Sequence, residues 1–218
     1  MSEPQAKSET MNGAEWLARA LCAAGTRHVF FVESVLRRTL VECGGLGIAR
    51  VLAHSEKAAA YMADGYARIA GRPGVCMAQS VGAANLAAGL QDAFLGRSPV
   101  VALTGHKPEP FQNRNSYQEI AHAPLFAAVT KFSSPVERAS ELPRLLRFAW
   151  SAALAGTPRP THLDFAGLQG EVIEQQGIAE PAVIDGEGRG LPPHRPTADP
   201  HDVERAAAAL LAARRVVI

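Results

Sequence analysis

The chain is predicted to fold as an α/β domain: an open, mostly parallel, doubly wound sheet with helices on both faces, followed by a linker and the start of a second domain. Three observations predict this. Short continuous apolar runs alternate with amphipathic helical stretches from Gly13 to Phe165, and runs without a polar alternate suit strands buried on both faces. The longest polar interruption follows an apolar strand, at the end where open α/β sheets collect ligands. With 218 residues, of which 47% are hydrophobic and 20% charged, there is ample core for one such domain and some additional chain.

The first dozen residues, MSEPQAKSETMN, mix acids with lysines and carry no apolar core, so residues 1–12 are read as a disordered leader and not as a targeting peptide. GAEWLARALCAAG is an amphipathic helix stopped by Gly25, and HVFFV, residues 28 to 32, is the first buried strand. A helix around SVLRRTLVEC, a strand at IARVLA and an alanine-rich helix from Lys57 to Ala70 follow. Then come a strand at GVCMAQS, a helix beginning near Gly82 and the strand PVVALTG.

A polar loop from 105 to 121 leads into a short helix and VTKFSSPV. ELPRLLRFAWSAALAG is a further amphipathic helix, and PTHLDF is the last strand, closing a domain of residues 13–167. Residues 168–198, rich in Gly, Pro and Glu without periodicity, are expected to be a linker. Asp199 with Pro200 starts a helix, and VVI reads as the opening of a buried strand, so residues 199–218 are expected to be the start of a truncated middle domain.

Composition excludes several classes. A formal net charge of +1 gives no footprint for nucleic acid or an anionic membrane. No apolar run reaches the ~18 residues of a membrane span. Cys22, Cys43 and Cys76 are odd in number, widely spaced and set in apolar surroundings, which suits small buried thiols in a reducing cytoplasm. The histidines show no metal-ligand spacing, so no metal ligand is assigned and His28, His54, His122, His162, His194 and His201 receive no role.

Two strand-to-helix corners carry the candidate chemistry. Glu56 is a lone acid between an apolar strand and a helix whose first turns contain Ala58, Ala59 and Ala60, side chains small enough to admit a flat ligand. Its simplest role is a favourable charge in the first helical turn. The second corner, QSVGAAN, has Gly82 and small neighbours near Asn85, which allow close backbone approach without forming a Walker or dinucleotide motif.

SEKAAAYMADGYARIAG, then SVGAAN, QDAFLGRSPVVALTG, YQEI, VTKF and PTHLDF, in that order, resemble the amino-terminal pyrimidine-binding domain of the thiamine diphosphate-dependent enzymes, acetolactate synthase-like. The resemblance covers residues 13 to 167 and implies that Glu56 is the catalytic acid that contacts the cofactor, with Gly82 and Asn85 shaping the pocket near the pyrimidine. It implies that His106 and Gln118 reach toward substrate. The implied reaction is decarboxylation and carboligation of a 2-oxo acid; simple decarboxylation of a 2-oxo acid or of the oxalyl-CoA type, or acyl transfer, is the alternative within the same superfamily. A third reading is an inactive fragment or a partner subunit that needs a separate diphosphate-binding domain.

The same resemblance implies Mg²⁺ held through a GDG-and-Asn pattern, which neither MADGYA nor IDGEGRG supplies, so the metal is expected on a domain outside this chain. It also implies a second subunit or domain completing the site, in a homodimer or tetramer, and leaves FAD open. The sequence departs from the family at FFVESV, where Glu33 and Ser34 replace Gly-Pro-Gly character, at Ser55 in place of the usual His, and at His106 in place of the usual Gln.

Overall fold

The computed structural model describes residues 10–184 and 197–217. Its elements run in chain order as β1 (Met11–Asn12), α1 (Gly13–Ala23), β2 (His28–Phe31), α2 (Arg37–Gly45), β3 (Ala49–Leu52), α3 (Glu56–Ala70), β4 (Gly74–Gln79) and α4 (Gly82–Leu95). They continue as β5 (Val100–His106), α5 (His122–Ala127), β6 (Phe132–Val136), α6 (Leu142–Leu154), β7 (Thr161–Ala166), α7 (Val172–Gln175), β8 (Gly177–Ile178) and α8 (Pro200–Ala212).

Six strands form one fully parallel sheet in the order β3-β2-β4-β5-β7-β6, as the alternating pattern predicts. β4, β5 and β7 are buried almost throughout, because helices cover both faces. One face packs Trp16 and Leu17 of α1, Leu40 of α2 and Trp150 of α6, while the other packs the alanines of α3 with Leu86 and Leu90 of α4 and Phe126 of α5.

The strand order reverses beside β2: the chain moves outward to β3 and returns on the other side as β4. Helices α3 and α4 start side by side on one face at the carboxyl ends of the strands, the end at which open α/β sheets bind ligands. A second reversal places β7 between β5 and the edge strand β6.

Helix α3 starts where expected because Ser55, in extended conformation, accepts a hydrogen bond from the Ala58 amide at 3.1 Å. Its alanines serve a different purpose from the one expected. Ala59, Ala60 and Ala63 are fully buried against the sheet and α4, so they admit a neighbouring helix and not a ligand. A methyl on Gly89 of α4 would lie 2.7 Å from both the Ala60 Cβ and the Lys57 carbonyl oxygen. The two helices therefore meet at backbone distance, which fixes their starts relative to one another.

Three expectations at the domain margins need correction. Met11 and Asn12, assigned to the leader, pair antiparallel with Ile178 and Gly177, and residues 1–9 lie outside the described residues. Residues 168–184, read as linker, fold back onto the domain: Ile173, Ile178 and Ile184 are buried in its larger core, and the Trp16 indole donates to the Glu180 carbonyl at 2.7 Å. Isolated isoleucines without period are hidden in a Gly- and Glu-rich stretch, yet each is buried in the larger core cluster; residues 185–196 lie outside the described residues.

The third is VVI. α8 forms with Asp199 capping its start, but Val216 and Val217 are irregular and exposed, with no partner strand among the described residues, and Ile218 lies outside them. Cys22 departs from expectation too: it faces solvent on α1, whereas Cys43 and Cys76 are buried, and all three thiols are free. No helix among the described residues is long and apolar enough to cross a membrane.

Candidate functional site

Glu56 is the first residue of α3 and is half-buried. The Asn85 side chain donates from Nδ2 to Glu56 Oε2 at 3.2 Å. Gly82 backs the same carboxylate so closely that a Cβ built on it would sit 2.5 Å from Oε1. Three residues singled out in the sequence thus converge on one carboxylate, from two helices that start at neighbouring corners. Any side chain at Gly82 would push the carboxylate off its seat.

His106 and Gln118 are not in that convergence. His106 ends β5 and is 7% exposed, with Nε2 3.0 Å from Glu137 Oε1 and Nδ1 3.4 Å from Asp164 Oδ2. The second contact is close enough for charge attraction without a well-formed hydrogen bond. His106 lines a cavity of about 850 Å³ together with Lys107, Glu119, His122, Glu137 and Asp164. Gln118 lies in the polar loop with φ +57, a left-handed conformation uncommon for a residue with a Cβ. Its backbone carbonyl accepts the Ser80 hydroxyl, which connects it to the turn before Gly82.

That loop is knit by Glu119, whose carboxylate accepts the backbone amides of Ser116, Asn113 and Arg114. The Ser116 amide, followed by the other two, holds the Glu119 carboxyl below the usual range.

The sequence reading missed a buried polar cluster centred on Asp164 in β7. Thr104 donates to Asp164 Oδ1 at 2.6 Å, and His122 Nδ1 lies 2.9 Å from Oδ2. Burial pushes the Asp164 carboxyl up, but contacts from His106 and His122 outweigh it and hold the group far below the ordinary carboxylate range. His106 is governed by opposed effects as well: burial lowers its pKa, and the Asp164 and Glu137 carboxylates more than offset this, leaving it raised.

His162 is the neutral member. Its Nε2 faces the Thr104 hydroxyl at 2.6 Å and its Nδ1 the Ser133 hydroxyl at 2.8 Å, while Phe126 stacks on the ring at 3.5 Å. Because Thr104 spends its hydrogen on Asp164, it accepts from Nε2–H, and Ser133 donates to Nδ1. One ring proton satisfies the whole set. Complete burial accordingly pulls the His162 pKa down to about 3, with Asp164 opposing and His122 and His106 assisting.

These shifts predict a stability maximum near pH 6.5, the ordinary histidine value. Below it the unfolded chain protonates His162 and the folded chain does not, so stability falls with pH by about 1.4 kcal/mol per unit down toward pH 3. Above it the raised His106 contributes the opposite limb, its stabilisation being lost as pH rises through the folded value. Urea midpoints from pH 5 to 8 should trace both limbs, and His162→Gln should flatten only the acid one. A parental acid limb in that variant would contradict the assignment.

A parallel α/β sheet with a carboxylate, a glycine and an asparagine gathered at the carboxyl ends of its strands places them where such sheets bind ligands. The family described as "Thiamine pyrophosphate enzyme, N-terminal TPP binding domain" matches residues 11–125, more than half of the chain, and the chain belongs to that family. Among its relatives, the "Probable acetolactate synthase large subunit" of Methanocaldococcus jannaschii is 33% identical over 221 aligned residues, covering 95% of this chain and 35% of that protein. The "Acetolactate synthase isozyme 2 large subunit" of Escherichia coli is 40% identical over 156 residues, 71% of this chain and 28% of that protein. The chloroplastic "Acetolactate synthase 2" of Nicotiana tabacum is 33% identical over 168 residues, 73% of this chain and 24% of that protein. The chain spans about a quarter to a third of the length of these relatives.

Proposed function

We propose that residues 13–167 are the pyrimidine-binding part of a thiamine diphosphate-dependent, acetolactate synthase-like enzyme that acts on a 2-oxo acid by decarboxylation and carboligation. The observation that carries the reading is the Glu56 carboxylate at the start of α3, bonded by Asn85 and backed by Gly82 with no clearance for a methyl. Such a seat suits a flat heterocycle that needs one proton-exchanging partner.

Glu56 would hold the aminopyrimidine by a hydrogen bond and carry the proton exchanged with its ring nitrogen. Asn85 fixes the carboxylate's orientation, and Gly82 lets the turn lie against it. When bound, thiamine diphosphate supplies the electron sink for cleaving the bond between a carboxylate and its neighbouring carbonyl. His106 would face the substrate from the loop-side cavity, and Gln118 would border it. Mg²⁺, a second diphosphate-binding domain, a homodimeric or larger assembly and a cytoplasmic setting belong to the same reading. The names of the relatives support the substrate class, and the shared order of motifs supports the roles of the residues.

The test has two arms. Adding the hydroxymethylpyrimidine fragment of thiamine to the isotopically labelled chain should shift the signals of Glu56, Gly82 and Asn85 saturably, at the millimolar concentrations expected of half a site. The assembled enzyme carrying this domain should release carbon dioxide from a 2-oxo acid only with thiamine diphosphate present. No shift at those three residues, or decarboxylation without thiamine diphosphate, overturns the proposal.

A further inference from the structure

Ser80 is the hinge between the two halves of the site. It is 1% exposed, follows β4 directly and opens the turn that carries Gly82. Its hydroxyl donates to the Gln118 carbonyl, and its own carbonyl accepts the Ala83 amide at 2.9 Å. The same carbonyl faces His122 Nε2 at 2.9 Å. On the far side of the ring, Nδ1 meets the Asp164 carboxylate at 2.9 and 3.0 Å. Asp164 in turn is fixed by Thr104, so the ring spans from the two central strands β5 and β7 to the turn.

We propose that His122 is a positioning residue: by bonding Ser80 and Asp164 at once, it sets the turn that backs Glu56 and the loop that carries Gln118. The functional meaning of that placement rests on the reading of Glu56 as the cofactor acid.

Three features support it. His122 is 3% exposed and starts α5, whose Phe126 is fully buried beneath α4, so the ring has no freedom to swing away. Both of its partners are acceptors, the Ser80 carbonyl and the Asp164 carboxylate, so bonding both at once requires a hydrogen on each ring nitrogen. Gly82 lies close against the Glu56 side chain, a Cβ on it falling 2.5 Å from Oε1. A rotation of the Ser80–Val81 peptide would therefore be transmitted to the acid. Gln118 sits at positive φ with its carbonyl engaged by Ser80, so one pinned residue governs the cofactor-side wall and the substrate-side loop together.

Two variants of the 218-residue chain separate this from a filling role. In His122→Asn the shorter amide reproduces the Nδ1 side and keeps Asp164 but loses Ser80. In His122→Gln the longer amide reproduces the Nε2 side and keeps Ser80. Loss of one hydrogen bond should speed amide exchange at Ala83, Ala84 and Asn85 about tenfold in His122→Asn and move the Glu56 carboxyl carbon signal. His122→Gln should leave both near the parental values.

Equal disturbance in the two variants, or parental signals in His122→Asn, would overturn the proposal. Should His122→Asn fail to fold, the parental ring decides: a bare Nε2 is incompatible with the bond to Ser80, and a hydrogen-bonded Nε2–H upholds it. No arm uses the cofactor. A turn that responds as described in a chain that never binds the pyrimidine would leave His122 as the setter of the turn and remove only the role of Glu56.

Discussion

Glu56→Gln should leave the domain folded and slow C2-proton exchange of thiamine diphosphate, in the assembled enzyme, by about 10²- to 10⁴-fold, or roughly 3 to 5 kcal/mol of barrier. The amide keeps the size of the carboxylate and an oxygen for Asn85 Nδ2, so the contact now at 3.2 Å survives. Gly82 continues to back the side chain. What disappears is a group that can gain and lose a proton. The accompanying stability change is limited to the charge at the start of α3, about 0.3 to 1 kcal/mol. Exchange and urea unfolding measured together should therefore diverge: a large kinetic loss beside a small shift in midpoint. Exchange at the parental rate would remove Glu56 from the mechanism.

Asp164→Asn should destabilise the domain by about 3 to 5 kcal/mol, the scale for breaking a buried charge pair from one side. Asp164 is 8% exposed and receives Thr104 and His122, with His106 close by. An amide has one acceptor in place of two and turns an N–H₂ toward a ring or hydroxyl that also donates. His106 would lose a carboxylate that raises its pKa, and burial, which lowers it, would gain ground. Urea unfolding at pH 7 and an NMR titration of His106 check both consequences. An unchanged midpoint, or an unchanged His106 titration, would show that Asp164 is not the centre of the cluster.

The corner that gathers Glu56, Gly82 and Asn85 was legible as structure because its information is local. Glu56 and the alanines after it announce a helix following an apolar strand, and Gly82 with its small neighbours announces another one corner later. Parallel topology then brings the two corners side by side. The alanines were legible as small but not in their purpose, since a helix neighbour and a ligand make the same demand on side-chain size.

The Asp164 cluster was not legible. His106, His122 and His162 come from β5, α5 and β7, and no sequence spacing relates them; only the second reversal of strand order makes them neighbours. The isoleucines of residues 168–184 were missed for a similar reason. Each is anchored by a contact far away in sequence, as Ile178 is by its pairing with Met11.

The pairing of Met11–Asn12 with Gly177–Ile178 has a topological consequence. The two ends of this unit lie side by side, so the unit closes on itself like a loop with a shared base. It could be exchanged for a relative's counterpart through two splice points lying side by side, or given new ends at the exposed tip of the 112–115 loop. A graft would have to carry the segment up to Ile184 with it, because a cut at Gly167 would leave the clasp without its second half.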